Sequence, residues 1–571
     1  MTEPWKTEVA ATRHMVVAGH YLAAHAAFLV LEAGGNAVDA GVAGGLALGV
    51  VQSDLVNIAG VAPIMVRPAG GETVTIDGLG GWPKALDAER FAREHGGTIP
   101  RGVLRTVVPA APAAWIEALR RFGSMSFGEV AGGAIRLARD GFPMHRLTAS
   151  VIADHADEYR QWPSNVEIYL PGGKPPAAGD IFRQEDLGRS LQYMVDQEAA
   201  AAGRGREAGL EAARAAFYRG DLGRRIVAYH EANGGLLRDA DLADYRVSIE
   251  APVSTSFAGG DLLCCGAWCQ GPFLAQVINL LKGYDLAALP HNGADHLHLL
   301  IESVKLAFAD RERVLGDPRF VDVPLDRLLS EAYAEERRGQ LRRDRAWPDL
   351  PPPGLADPAR HPAPRSPVSV GAGDPPPPPD TSYVCVVDRW GNAFSATPSD
   401  VSYQSPVIPG TGLVPSSRGS ASWGDPRHPS GIAPGKRPRL TPNPAMWIAP
   451  DGRAMPFGTP GGDVQIQAMT QFLLNLLVYR MPPQVAVEMP RVASYSQPDT
   501  FEPHTAFPGL VKAEARIAED AVAGLEALGH TVSRWPQSTY LAGSVCAIVP
   551  GPGGSLMAAS DHRRPTYALG W

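Results

Sequence analysis

Thr381 is the residue in this chain best placed to act as a nucleophile. It opens a predicted strand, TSYVCVVD, and follows a Pro-rich stretch whose last five prolines, Pro375–Pro379, are separated from it by Asp380. A threonine hydroxyl is a weak nucleophile at neutral pH, but a free α-amino group on the same residue has a pKa of about 8 and can take its proton. To create that amine, the Thr381 hydroxyl can attack the Asp380 carbonyl and form an ester that water hydrolyses. The pattern predicts a self-cleaving hydrolase, unless Thr381 is simply the first residue of an ordinary strand.

The sharpest change in composition lies directly before this threonine. Residues 351–380 hold 12 prolines, and Pro375–Pro379 are consecutive. Such a run cannot form a core element, and its backbone favours the extended polyproline conformation. We therefore expect an exposed, mobile tail here, or a linker between two domains.

The flanking sequence predicts the elements that hold Thr381 in place. Two β-hairpins are predicted, over residues 63–77 and 381–397, the second with a turn at Arg389–Asn392. Apolar periodicity and composition predict helices over residues 20–51 (broken at Gly34-Gly35-Asn36), 112–142, 198–214 and 295–313. Small residues between 37 and 45 indicate a helix buried under a sheet, closely approached by a neighbouring backbone.

Composition narrows the class of protein. The chain has 571 residues, with 52 Lys and Arg against 60 Asp and Glu, and its net charge of −8 argues against nucleic-acid binding. Five cysteines in so long a chain do not form a disulfide framework. The first residues do not resemble a secretory signal, and no apolar stretch is long enough to span a membrane. We expect a cytoplasmic enzyme with no membrane partner.

Seven segments, in order, resemble the γ-glutamyltranspeptidase family of N-terminal nucleophile hydrolases. They are LEAGGNAVDAGVA (31–43), AIRLARDGF (134–142), NGGLLRDADLADY (233–245), ESVKLAFADRERVLGDP (302–318), DTSYVCVVDRWGNAFSAT (380–397), GKRPRLTPNPAM (435–446) and GTPGGDVQIQ (458–467).

The resemblance implies an α+β fold with four αββα layers and a precursor that cuts itself. The large subunit would be residues 1–380, including the Pro-rich tail 351–380, and the small subunit residues 381–571. The resemblance further implies a dimer of such heterodimers as a possible assembly.

The resemblance also assigns roles by position. Thr381 corresponds to the nucleophile and new N-terminus, with cleavage between Asp380 and Thr381. Ser399 falls where the family has a hydroxyl that hydrogen-bonds the nucleophile. Gly461 and Gly462 fall on the glycine pair whose N–H groups form an oxyanion hole, a geometry that requires no side chain in the way. A tight turn after a strand would also explain the glycine pair.

Other positions depart from the family's pattern. In the family, an arginine meets the substrate α-carboxylate, but the corresponding segment here, Ile76–Pro83, has no arginine. The family also has two adjacent serines that hold the same carboxylate. Here these positions are Thr441 and a proline at residue 442, so one hydroxyl remains. An acid that would meet an α-ammonium is replaced by Ala421, and no acid occurs between Ser405 and Trp423.

Two charged residues can compensate. The family's asparagine after the second hydroxyl is Val401 here, and the adjacent Asp400 can take its place by a shift of one residue. Arg418 stands where the family has an amide side chain, and an arginine there can pair with a substrate carboxylate. A surface or intersubunit arginine is the alternative explanation.

These departures favour an amidohydrolase over a glutathione hydrolase, because a buried ammonium without an anion is costly. The sequence is similar to the oxamate amidohydrolase and cephalosporin acylase branch of the family. The predicted substrate is a small-molecule amide whose acyl group carries a carboxylate. A true γ-glutamyltransferase, or an unprocessed binding protein whose Pro-rich segment docks a partner, remain alternatives.

No cofactor or metal is predicted. His291, His296 and His298 cluster in sequence. However, His296 and His298 are two residues apart, so on a helix their side chains face different sides. Cys264, Cys265 and Cys269 match no zinc pattern.

Overall fold

The computed structural model describes residues 4–355, 368–377 and 381–571. Asp380, on the predicted cleavage site, lies outside the described residues.

The described residues form an α+β fold with two large antiparallel sheets. The helices α1 to α19 are, in chain order, Tyr21–Glu32, Ala37–Val51, Ala88–His95, Ala111–Phe122, Phe127–Asp140, Arg146–Asp154, Ala156–Tyr159, Pro163–Tyr169, Glu185–Ala201, Arg206–Tyr218, Asp221–Ala232, Asp239–Ala243, Gly271–Leu281, Ala294–Val314, Leu325–Leu328, Glu331–Arg338, Gln465–Leu473, Pro483–Glu488 and Glu519–Ala527. The strands β1 to β19 are Ala10–Ala11, Met15–Ala18, Ile64–Arg67, Val74–Ile76, Phe142–Pro143, Ile181–Phe182, Ile249–Glu250, Val253–Phe257, Gly260–Cys264, Val384–Val387, Ala393–Ala396, Ala445–Ile448, Ala454–Gly458, Val492–Ser494, Leu510–Glu514, Thr531–Trp535, Cys546–Pro550, Leu556–Ser560 and Tyr567–Gly570.

The two sheets stack face to face between layers of helices. One has the order β1-β18-β17-β13-β12-β9-β8, and the other has the order β19-β2-β10-β11-β3-β4-β7. Side chains alternate along β10: Val384 and Val386 join the core beneath α1 and α2, whereas Cys385 and Val387 join the core between the sheets. A third core packs α13, α14 and α17 against the first sheet. The expected four-layer αββα sandwich is confirmed.

Segments on both sides of Thr381 contribute strands to both sheets. In the second sheet, β10 pairs with β2 on one side and with β11 on the other, and β11 pairs with β3. In the first sheet, β12 pairs with β9. Cleavage before Thr381 would therefore leave each sheet built from two chains rather than separate two domains.

The predicted break near residue 35 is confirmed and has a local cause. Asn36 caps α2 by accepting from the Val38 N–H at 2.8 Å, and Asp39 accepts from the Asn36 N–H at 2.9 Å. The small residues of α2 admit aromatic rings rather than a backbone, because a Cβ on Gly41 would lie 2.1 Å from the Phe394 ring.

The single helix predicted over residues 198–214 is wrong. α9 ends at Ala201 and α10 begins at Arg206, because Gly205 between them has a φ of 99°, which a helix cannot contain. The predicted helices over 20–51 and 295–313 and the two hairpins are present. No helix of the described residues combines the length and apolarity needed to cross a membrane.

Candidate active site

Thr381 lies at the buried mouth of the β10–β11 hairpin. The pairing of Val384 with Ala396 extends outward to an isolated antiparallel bridge between Thr381 and Ser399. Both residues are fully buried, and their hydroxyl oxygens lie 2.7 Å apart. The structure therefore brings together the two hydroxyls that the sequence predicts to act together.

Ser399 is fixed through its backbone. Its N–H donates to the Val61 carbonyl at 3.0 Å, and its carbonyl accepts from the Val61 N–H at 3.2 Å. Gly60 allows this approach, because a Cβ there would lie 2.5 Å from the Ser399 carbonyl oxygen and 2.7 Å from Cβ of Asp400. The Ser399 position therefore depends on a glycine far away in the sequence.

Asp400 has a strained backbone, with a φ of 128° in a region that favours glycine. Its carboxylate accepts from the Ser417 N–H at 3.0 Å, from the Ser417 hydroxyl at 2.7 Å and from the Ser416 hydroxyl. Burial raises the pKa of Asp400, and the nearby Arg418 charge opposes that rise.

Arg418 lies among these groups rather than on the surface. It is 1% exposed, its guanidinium donates to the Ser399 hydroxyl, and its Nε lies 3.9 Å from Asp400. The guanidinium also stacks over the Phe501 ring, 5.1 Å from its centre. The positive charge of Arg418 is therefore hydrogen-bonded to Ser399, whose hydroxyl in turn contacts the Thr381 hydroxyl.

Gly461 and Gly462 form the turn that joins β13 to α17. Their φ values are 126° and 54°, which only glycine adopts without strain. The Gly462 carbonyl accepts from the buried Gln270 side chain at 3.3 Å, and Gln270 also donates to the Thr441 carbonyl at 3.0 Å. None of the hydrogen bonds that the structure describes uses either glycine N–H.

Thr441 carries a buried hydroxyl that has no hydrogen-bond partner among the described residues. The residue is 1% exposed, and a buried hydroxyl without a partner is unfavourable unless something else occupies its hydrogen bond. The position fits a hydroxyl that serves a ligand.

A cavity of about 290 Å³ lies next to this machinery. Gly461 and Phe501 both line it, which connects it to the glycine turn and to Arg418. The Pro-rich segment contributes Pro375–Pro377 to the same wall.

Comparison with known proteins identifies the chain. Residues 23–571 match the sequence profile of the family described as Gamma-glutamyltranspeptidase. The chain belongs to this family. It is 33% identical to the acylase ACY 1 proenzyme of Pseudomonas sp. (strain SE83), over 98% of this chain and 93% of that protein. It is 29% identical to the oxamate amidohydrolase proenzyme of Klebsiella pneumoniae, over 98% of this chain and 99% of that protein.

A solved structure shares the architecture. The crystal structure of a cephalosporin acylase from Bacillus halodurans aligns with a TM-score of 0.85 at 26% identity, over 100% of this chain and 99% of that chain. The γ-glutamyltranspeptidase family membership and the N-terminal nucleophile hydrolase fold predicted from the sequence are therefore confirmed.

Within this family member, one acid was missed by sequence reasoning. No acid occurs near Ala421 in the sequence, but the N–H of Glu502 donates to the Ser420 carbonyl at 2.8 Å. Glu502 also lines the cavity. Because it lies about eighty residues further along the chain, no local pattern pointed to it.

Two further supporting residues were also missed. Gln270 holds the glycine turn, and the Arg564 guanidinium donates to the Thr381 carbonyl at 3.3 Å. Arg564 lies in the segment DHRRP near the end of the chain, where two adjacent arginines were the available signal.

The Pro-rich segment is not simply a spacer. Val370 forms a parallel bridge with Ala506, and the Gly371 N–H donates to the Ala506 carbonyl at 2.9 Å. Asp374 pairs with Lys512 at 2.6 Å. The described part of the segment, residues 368–377, therefore packs against residues that follow Thr381 in the chain.

One buried cluster of possible metal ligands lies in the helical layer. Ligand atoms of His298, Glu302 and His530 lie within 4.8 Å of one another. However, Lys305 pairs with Glu302 at 2.9 Å, and the two histidine rings hydrogen-bond each other at 2.9 Å. The cluster is thus held together by its own charges and hydrogen bonds, and the resident lysine opposes a cation.

Proposed function

We propose that this protein is a self-processing N-terminal-threonine amidohydrolase that cleaves the amide of a carboxylate-bearing acyl group through an acyl-threonine intermediate. The observation that carries the proposal is the 2.7 Å contact between the Thr381 and Ser399 hydroxyls beside the Arg418 guanidinium. Family members named as acylase and amidohydrolase proenzymes support the reaction class.

The first step of the proposal is self-cleavage. The Thr381 oxygen attacks the Asp380 carbonyl carbon, and the hydroxyl proton passes to the peptide nitrogen. The C–N bond then breaks, the nitrogen becomes the α-amine, and an ester joins the two parts. Water then hydrolyses the ester, which frees the Asp380 carboxylate and restores the Thr381 hydroxyl. The products are a large subunit, residues 1–380, and a small subunit, residues 381–571.

Turnover uses the newly formed amine. The α-amine of Thr381 takes the hydroxyl proton, and the oxygen attacks the substrate amide carbonyl. The N–H groups of Gly461 and Gly462 hold the tetrahedral oxyanion. The leaving amine departs with the proton from the α-ammonium, and water cleaves the acyl-threonine ester. An amine acceptor in place of water would give transfer.

Recognition of the acyl carboxylate is assigned to Arg418 and Thr441. Arginine supplies a permanent charge, and the Thr441 hydroxyl has no partner among the described residues. Asp400 positions Arg418 and, with the hydroxyls of Ser416 and Ser417, fixes the loop that carries it.

The intact masses of the denatured protein and of Thr381→Ala test the proposal. We expect fragments of 380 and 191 residues from the natural chain and a single 571-residue species from the variant. The cleaved protein is then assayed with glutaryl amides. A chain that stays whole at every pH would contradict the mechanism.

A γ-glutamyltransferase or glutathione hydrolase is the second candidate, and Glu502 is the observation that favours it. Its backbone lies next to Ser420, so the acid missing at Ala421 is available from another segment. Glutaryl and γ-glutamyl anilides, which differ only in the α-amino group, distinguish the two candidates. A higher kcat/KM for the γ-glutamyl compound would favour the second.

A further inference from the structure

We propose that the cavity beside Gly461 binds a neutral aromatic ring on the leaving-amine side of the amide substrate, so that arylmethyl amides are preferred substrates. The cavity has a volume of about 290 Å³, at the lower end of the range of roughly 300 to 1,000 Å³ for pockets that hold small molecules. The inference deepens the proposed function and rests on it for the position of the scissile amide.

The residues around the cavity indicate that it serves the amine side of the scissile bond. Gly461 lines it, and the Gly461 N–H is assigned to the oxyanion, so the cavity begins at the reacting carbonyl. Neither Arg418 nor Thr441, which are assigned to the acyl carboxylate, is among the described residues that line it. Phe501 lies next to both places, because its ring contacts the Arg418 guanidinium and the residue also lines the cavity. With the acyl carboxylate held at Arg418, the cavity is left for the group on the other side of the amide.

Rings make up much of the cavity wall. His155 and Tyr403 line it as a stacked pair, with ring centres 3.7 Å apart and planes 4° from parallel. Phe501 and Phe507 add phenyl rings, and Pro375–Pro377 add pyrrolidine rings. Proline has no backbone N–H, so this part of the wall offers apolar surface without a hydrogen-bond donor. A flat aromatic group fits such a wall, because pairs of aromatic rings gain free energy beyond the area that they bury.

Two of the four acids that line the cavity form ion pairs with arginines. Glu158 pairs with Arg101 at 3.4 Å, and Asp463 pairs with the buried Arg311. These carboxylates are therefore compensated by the protein itself.

The other two acids, Asp499 and Glu502, also have arginine charges nearby. Burial raises the pKa of Glu502, and the charge of Arg105 opposes that rise. Burial and the charge of Asp463 raise the pKa of Asp499 to about 7, and the charges of two arginines, 311 and 439, oppose that rise. Because each acid of the wall already interacts with a permanent positive charge, the cavity suits a neutral group better than a charged one.

Four matched amides test the ring and its place in the substrate. Glutaryl benzylamide carries a phenyl ring on the amine side, and glutaryl cyclohexylmethylamide has the same number of carbons without a flat ring. Glutaryl propylamide is the small reference. The compound 3-phenylglutaryl propylamide carries its ring on the acyl side instead. The released amine is quantified by mass spectrometry after incubation with the cleaved enzyme.

We expect kcat/KM for the benzylamide to exceed that for the propylamide by at least about tenfold, because the ring is buried in the cavity. It should exceed that for the cyclohexylmethylamide by about fivefold, because only the flat ring stacks on the wall. The 3-phenylglutaryl compound should be no better than the propylamide.

Phe507→Leu keeps an apolar side chain on the wall but removes its ring. It should lower the ratio of kcat/KM for the benzylamide to that for the cyclohexylmethylamide by about threefold. Tyr403→Leu is the second variant if the first is not processed. Phe320→Leu, the same substitution at an exposed residue outside the cavity wall, is the control and should leave the ratio unchanged. The intrinsic reactivities of the two amides are the same for every variant, so they cancel in this comparison.

Equal kcat/KM for the benzylamide and the propylamide, or a preference for the ring on the acyl side, would overturn the aromatic site while leaving the amidohydrolase proposal intact. An unchanged ratio in Phe507→Leu would overturn it as well. A cleaved enzyme that hydrolyses none of these amides would contradict the proposed function instead. The aromatic site is then judged by calorimetric titration of the Thr381→Ala protein with the benzylamide and the propylamide, and the same titration with Phe507→Leu added serves if neither variant is processed. Tighter binding of the benzylamide that Phe507→Leu weakens supports the site, and equal binding of the two amides overturns it.

Discussion

Arg418 and Asp400 form a buried ion pair, with Nε and Oδ2 3.9 Å apart and each side chain 2% exposed. The pair also holds Ser399 in position, because the same guanidinium donates a hydrogen bond to the Ser399 hydroxyl. Removing one partner of a buried pair is far more damaging than removing both, since the remaining charge is left without compensation.

Arg418→Met should therefore destabilise the protein by about 3 kcal/mol, and adding Asp400→Asn should restore part of that loss. Denaturant unfolding of the uncleaved Thr381→Ala background measures both changes without interference from processing. Arg121→Met, which removes an exposed arginine and leaves its partner Glu117 paired with Arg120, should stay within about 0.5 kcal/mol of the parent. An equal loss for the single and double variants would contradict the pairing.

Gly60→Ala should slow or abolish self-cleavage. The added Cβ would meet the Ser399 carbonyl and Cβ of Asp400, so the Ser399 hydroxyl must move away from Thr381. The cleaved fraction, followed over time by intact mass, is the measurement. Gly132→Ala is the control, because a Cβ there meets only the end of the Arg136 side chain at 3.5 Å. Normal cleavage of Gly60→Ala would show that Ser399 is not needed in this position.

Thr441→Val should raise KM for a glutaryl amide by about fivefold with little change in stability, because the hydroxyl has no partner within the described chain. Thr106→Val removes another buried hydroxyl, one that has no partner in the ranges that the structure describes, and should leave KM unchanged. Steady-state kinetics on the two cleaved variants measure KM and kcat. A lower kcat with unchanged KM would instead place Thr441 among the groups that support the glycine turn.

Asp499→Asn should stabilise the fold in a pH-dependent way. The folded pKa of about 7 lies above the ordinary value of 3.8, so ionisation of Asp499 opposes folding. That penalty is absent below the unfolded pKa, grows as pH rises from 4 to 7 and is complete above 7. Thermal melts should show the variant melting above the parent at pH 8, with the difference vanishing at pH 4. A constant difference across this range would contradict the raised pKa.

Much of the fold was predictable because its signals are local. The capping residue Asn36 and the alternation along the strand after Thr381 mark their elements without reference to the rest of the chain. The helix break at Gly205 was missed, because a glycine inside an Ala- and Glu-rich run is tolerated or not according to its tertiary contacts.

The residues of the candidate site likewise divide into those with a signal in the sequence and those without one. Thr381 was predicted from its place at the start of a strand after the Pro-rich run, whereas Ser399, Gly461 and Gly462 were predicted from the resemblance to the γ-glutamyltranspeptidase family. Glu502 and Gln270 act through contacts with distant segments, so composition and spacing carried no sign of them. For Arg564, which contacts the Thr381 carbonyl, the adjacent arginines in DHRRP were a local signal. Charge balance inside a cavity is a property of the folded arrangement alone.

The alternation of strands from the two halves has a kinetic consequence. Before cleavage, β10 pairs with β2 and β11 pairs with β3 within one chain, and folding is unimolecular. After cleavage, the same sheets can be rebuilt only if two separate polypeptides meet, so the order of the reaction changes from one to two. The mature enzyme should then renature with a yield that rises with protein concentration, whereas the Thr381→Ala chain should renature independently of it. After cleavage, the stability of the folded protein would therefore depend mainly on a slow rate of unfolding rather than on rapid refolding.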